Sequence, residues 1–322
     1  MELSSKKMSW EERRERKNRE IAEAIANVQD EATQIDIIMK KRGCFGPSED
    51  DKFYPIVQDY LSSDTSAKDT AKKLIEPINN AILQNKKDLP FLSLWYSMIH
   101  SAKRLPFRDT NGLNKLITLM KTIKASFPPP TAKDSDMYTC LRHFGMAARE
   151  SMNDSPGGGC GYMTQEVHAY ANMLYFYALI TRENIRNFWI YCIWEMRNAL
   201  ETPHEDDANG TAIQKYNSFI PSAAVWILAM GKQVYEREQD LTPKKATEGD
   251  PGSGGPLWKG RAEFSKQRWA LWRKRFGELA EMEGLTEEVR AIAKEAAQKM
   301  DWIDGGAMED GRGPRNGASL DI

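Results

Sequence analysis

The chain of 322 residues carries 45 Lys and Arg against 46 Asp and Glu, a formal charge of -1, with 41% hydrophobic residues and nine tryptophans. That is enough apolar material for one large or two ordinary domains, and so even a balance excludes a whole-protein field drawing the chain to nucleic acid or an anionic membrane. The opening "MELSSKKMSWEERRERKNRE" lacks the apolar run of a secretory signal, and no stretch has the length of uncharged apolar sequence that spans a bilayer; the expectation is no membrane and a cytoplasmic or nuclear location.

Apolar residues recur in the helical period along most of the chain, and no alternating strand stands out. This predicts an all-α fold of about ten helices in antiparallel pairs, as a multi-helical bundle or a solenoid-like array. The first segment, 9–42, reads as one long helix. It begins with the mixed-charge run "EERRERKNRE", suited to pairs within the helix, and turns amphipathic at Ile21, Ile25, Val28, Ile35 and Ile38. Its charged part could dock a partner helix in coiled-coil fashion. Gly43, after Lys40, Lys41 and Arg42, stops it.

Helices are then expected at about 51–61, 67–84, 90–103 and 111–126, the last two joined by the short turn "KRLPFRDTNG" as an antiparallel hairpin. "SFPPPTAKDSD" cannot continue a helix, because three successive prolines lack the amide donor. The predicted organisation is therefore an N-terminal helix over 1–50, a helical subdomain over 51–130, a larger one over 135–302, and a disordered tail over 303–322. In the larger unit helices are expected at about 137–152, 164–181, 182–200 and 221–237. The middle two are apolar almost all round and belong at the centre.

"GGPLWKGRAEFSKQRWALWRKRFGELA" poses the sharpest question, because tryptophans and cations crowd together there. Ser265 is a good N-cap, and Phe264 and Trp269 stand where a hydrophobic staple would close. Trp269, Trp272, Phe276, Leu279 and Ala280 then share one helical face, a core stripe. Lys266, Arg268, Arg273, Lys274 and Arg275 spread over the flanks and back, where they would wet the exterior. A phosphate-tracking surface needs its cations gathered, so nucleic acid is not the expected partner. Trp258 lies outside the helix among glycines, as a loop anchor or, with Lys259 and Arg261, a partner-binding group.

"GPLWKG", "FSKQRWALWRKRFGELA" and "LTEEVRAIAKEAAQKM", with "HAYANMLYFYALIT", "IYCIWEMRNALE" and "LWYSMIHSAKRLP", resemble the blocks of a fungal domain family of uncharacterised proteins, over about residues 51–300. The resemblance implies an intracellular helical domain and carries no activity and no catalytic residue.

Candidate chemistry is sparse. "SPGGGCGYMTQE" leads into a helix but lacks the G-K-[ST] ending of a phosphate loop, and reads as a connector. Cys44, Cys140, Cys160 and Cys192 form no C-x-x-C pair and are expected as free thiols, Cys160 having a helix start beside it. Cys140 and His143, three apart on a predicted helix, are half a metal set that Cys160 and His168 would complete only by folding together. Glu166 and His168 stand two apart, so on a helix they diverge. His100 reads as a core-edge residue and His204 as a surface one, and Glu195 and Glu201 as a polar helix edge. These residues assign no catalytic group, no metal and no cofactor. The leading expectation is a non-enzymatic interaction or scaffold module with a protein partner, ahead of an enzyme whose site is assembled in a helical cleft.

Overall fold

The computed structural model describes residues 8–305 except 246 and 248. It is an all-α bundle: among the described residues there are twelve α-helices and one pair of two-residue strands. The segment read as one N-terminal helix is two, α1 (Trp10–Ile25) and α2 (Glu31–Arg42), packed on each other. Asp30 breaks it: its carboxylate accepts from the Thr33 amide and hydroxyl, at 2.8 and 2.6 Å, and so caps α2 instead of continuing α1. Gly43 ends α2 as expected, in the left-handed conformation at φ 78°.

Helices α3 (Tyr54–Ser62), α4 (Ala67–Leu83), α5 (Phe91–Arg104) and α6 (Thr110–Lys124) follow, with α3 packed on α5 and α4 on α6. The helix expected over 137–152 is shortened to α7 (Phe144–Ser151), because Leu141 and His143 take left-handed backbone. A tertiary bond favours that turn: the buried Trp95 indole donates to the Arg142 carbonyl at 2.6 Å. Cys140 and His143 thus do not share a helical face, and both are exposed.

At the centre stands α8 (Thr164–Arg182), buried along most of its length and packed against α5 on one side and α10 (Ala212–Glu236) on another. Between them α9 (Trp189–Met196) runs into one π-helical turn, Arg197–Glu201. Helix α10 starts nine residues earlier than expected from Pro221, whose missing amide donor it tolerates inside the helix, and it kinks at Met230. The strands β1 (Gln239–Asp240) and β2 (Glu263–Phe264) pair antiparallel and close the loop between them. Helix α11 (Lys266–Ala280) starts at Ser265, which accepts from the Arg268 amide, and packs on α12 (Glu287–Asp304), which in turn packs on α10.

One continuous buried cluster reaches from Phe53 to Ile303 and takes in side chains on both sides of the proline-rich link. A second, small one is built by Ile21, Ile25, Ile35, Ile38 and Met39 of α1 and α2 with Cys160 and Ala169. The tail expected from 303 begins inside α12, and from residue 306 on that expectation lies outside the described residues. No helix among the described residues is long and apolar enough to cross a membrane.

Candidate functional site

The tryptophan stripe of α11 is core: Trp269 and Trp272 are 2% and 1% exposed. The cations beside it do not all wet the exterior. Arg268 is fully buried, its guanidinium gripping Glu201 at 2.7 and 3.0 Å, and Trp272 Nε1 donates to the same carboxylate at 2.6 Å. Glu201 also accepts from the Gly255 amide at 2.8 Å, and its carbonyl accepts from the Leu257 amide at 2.9 Å. A buried carboxylate demands such company, since an unpaired charge in the interior is strongly disfavoured. The remaining cations of α11 are engaged as well. Lys266 donates to the Tyr235 carbonyl, Arg273 pairs with Asp304, and Arg275 and Lys274 pair with Glu278.

This core explains "GGPLWKG". A methyl group on Gly254 or Gly260 would stand 2.3 or 2.2 Å from the Trp258 ring, and one on Gly255 would meet the Glu201 carbonyl at 2.7 Å. The half-buried Trp258 thus lies in a seat of glycines, with Nε1 donating to the Arg261 carbonyl at 2.7 Å. Lys259 and Arg261 are exposed on the same loop.

The cleft lies elsewhere. A cavity of about 470 Å³ opens between α8, α10 and α12, closed on one side by the α5–α6 turn at Pro106–Arg108. Such a volume falls in the range of small-molecule sites. Val167 and Ala171 of α8, Pro221 of α10 and Val289 and Ile292 of α12 give it apolar walls. Several of its polar side chains are committed to structure: Asn172 bonds to the Phe107 amide and the Lys103 carbonyl, and Asn217 to the Thr286 amide.

His168 lines this cleft together with Glu31, Glu288, Arg108 and Tyr162. Its Nδ1 lies 2.7 Å from Glu31 of α2 and its Nε2 3.1 Å from Glu288 of α12. With a carboxylate at each nitrogen, a protonated ring donates to both, so the pair favours the imidazolium form. Its pKa is accordingly raised above the usual 6.5, first by the Glu31 hydrogen bond and then by Glu288, against the opposing effect of burial. Both acids stand in the first turns of their helices, where the backbone dipole favours negative charge. The pair outweighs the single imidazolium, and Arg108 at the same cleft is matched by Glu295 at 2.5 Å, so the local balance is negative.

Glu166 and His168 diverge, as their spacing requires. Glu166 is buried and turns to Arg42, at 2.6 and 3.2 Å, while accepting from the Gly161 and Met163 amides. His100 is more deeply placed than a core-edge residue: it is 4% exposed and bonded to Asp36 at 2.7 Å, and burial lowers its pKa. His204 is half-buried rather than fully at the surface, being packed against Tyr216 and Phe219 with Nε2 2.8 Å from the Asn198 carbonyl. Nor do Glu195 and Glu201 line a polar edge; they are 2% and 0% exposed. The sequence missed the cleft because Glu31 and Glu288 lie 137 and 120 positions from His168, with acidic helix starts as the available hint.

No curated protein and no solved structure matches the chain. A family model does, over residues 95–276, which take in all of α8 and α10, most of α11, the buried Glu201–Arg268 pair and the glycine seat of Trp258. Since the match extends over more than half of the chain, the protein belongs to the family described as protein of unknown function (DUF3632).

Proposed function

We propose that the protein is a non-catalytic binding protein whose cleft takes a small molecule with an apolar body and an amine end. The observation that carries this reading is the apolar cavity with one imidazolium held between two carboxylates, an arrangement with negative charge to spare. Glu288 makes the longer of the two bonds to His168 and is the more exposed acid, so it is the group an incoming ammonium would engage. A catalytic role for His168 is disfavoured because both imidazole nitrogens are occupied, which leaves neither free to abstract a proton.

The reading is tested by calorimetry with matched alkyl and aryl amines, alcohols and carboxylates. Amines bind, and their affinity rises with pH as His168 loses its proton and releases Glu288. Ala291→Trp, which fills the cleft from an exposed position on α12, abolishes the binding without lowering the melting temperature. Equal affinity for the three series, or amine binding indifferent to Ala291→Trp, refutes it.

A protein partner at the Trp258 loop is the second reading, favoured by the exposure of Lys259 and Arg261 on a segment that Trp258 holds in place. Under it, Lys259→Glu with Arg261→Glu removes partner recovery and leaves the cleft unaffected. Recovery of the same partner by the double variant would dismiss it.

A further inference from the structure

A second cluster lies where the turn after α2 meets the glycine-rich loop 155–161. Cys44 Sγ and Cys160 Sγ are 2.8 Å apart, and the Asp154 carboxylate is within 4.8 Å of both. Two sulfurs and a carboxylate are three donors of a metal set. Asp154, however, is already held by the buried Lys103 ammonium at 2.6 Å and by the Phe45 amide, and that ammonium opposes a second cation. The thiols are left to each other. We infer that Cys44 and Cys160 are a site of reversible disulfide formation, driven by a hydroperoxide, that ties the α1–α2 hairpin to the body of the protein.

Both backbones present their sulfurs from fixed turns. The Gly43 and Cys44 amides each donate to the Met39 carbonyl at 3.0 Å. On the other side Gly157 donates to the Cys160 carbonyl at 3.0 Å, Cys160 to Ser155 at 3.3 Å and Gly159 to Asn153 at 2.9 Å. The loop is packed rather than slack, since a methyl group on Gly159 would meet the Asn153 carbonyl at 2.3 Å and one on Gly161 the Arg42 guanidinium at the same distance. Reaching the bonded separation of about 2.05 Å requires less than about 1 Å of closure, within reach of side-chain rotation.

The two thiols differ in access. Cys44 is half-buried and Cys160 6% exposed. The Cys160 thiol is pushed up by its contact with Cys44 and by burial, with the Asp154 and Glu166 carboxylates adding to the effect. Cys44 is therefore the attacking group and Cys160 the resolving one. The Cys44 sulfur attacks the terminal peroxide oxygen, the O–O bond breaks, and the departing oxygen takes the thiol proton and leaves as water from hydrogen peroxide or as an alcohol from an organic hydroperoxide. The Cys160 sulfur then attacks Cys44 sulfenic acid, the S–O bond breaks, and hydroxide leaves with the Cys160 proton as water. Two thiols are oxidised by two electrons and one peroxide is reduced. A dithiol reductant reverses the bond by exchange.

The cross-link spans 116 positions of chain, so it removes much freedom from the unfolded state. The test uses the full chain carrying Cys140→Ser, which removes the exposed thiol, treated with a small excess of hydrogen peroxide. Expected are the loss of two hydrogens in intact mass, one linked peptide pair containing Cys44 and Cys160, and a rise of roughly 5 °C in melting temperature, all reversed by dithiothreitol. Cys44→Ser and Cys160→Ala each abolish the link and the rise. Alkylation of both Cys44 and Cys160 in denaturant after oxidation, or a sulfinic acid at Cys44 without a linked pair, overturns the inference. So does one equivalent of zinc retained by the untreated protein and lost in Cys44→Ser.

Discussion

Glu195 offers a prediction whose size and sign both follow from its surroundings. It sits on α9 at 2% exposure; one carboxylate oxygen accepts from the Tyr170 hydroxyl at 3.1 Å, and the other has no hydrogen-bond partner. Burial raises its pKa from 4.5 to about 7, against the smaller opposing effects of Tyr170 and Arg197. A carboxyl that binds its proton more tightly when folded stabilises the protonated native state. Its contribution is complete below pH 4.5, fades as the pH rises, and is lost above about 7. At about 1.36 kcal/mol for each tenfold change in proton affinity, the rise corresponds to about 3 kcal/mol. Glu195→Gln keeps the acceptor for Tyr170 and removes the ionisation. Its stability should match wild type near pH 4 and exceed it by about 3 kcal/mol near pH 9. Equilibrium denaturation of both proteins across that range measures the difference, in which titrations common to both cancel. A difference that does not vary with pH, or a variant weaker than wild type in alkali, refutes the argument.

Removing the guanidinium of Arg268 leaves the buried Glu201 carboxylate without its ion-pair partner, so Arg268→Met should cost about 3 to 5 kcal/mol, much of it recovered when Glu201→Met is added; a fully additive double variant in urea denaturation would contradict the pairing. Trp272→Ala, which loses a fully buried ring and a donor to Glu201, should cost about 3 to 5 kcal/mol and is dismissed by a wild-type melting curve. His168→Gln should remove a contribution that is fully present below pH 6.5 and declines as the pH climbs through the higher value of the folded ring. The gap between variant and wild type therefore narrows from mildly acidic to alkaline solution, and a gap that widens would show that His168 is not held as imidazolium.

The sequence by itself determined the helical class, the stop at Gly43, the start at Ser265 and the inward stripe of Trp269, Trp272 and Phe276, because each depends on side chains within a few positions of one another. It also separated Glu166 from His168, since that follows from the helical pitch alone. The tertiary structure decided everything that depends on a partner distant along the chain. Asp36 draws His100 inward, and Arg268 turns Glu201 from a polar edge into a buried charge. Trp95 takes the Arg142 carbonyl next to the turn that shortens α7. The cleft belongs to the same class: α2 and α12 bring their acidic first turns to one ring of α8 only once the bundle has formed, and periodicity holds no record of which helix ends will meet.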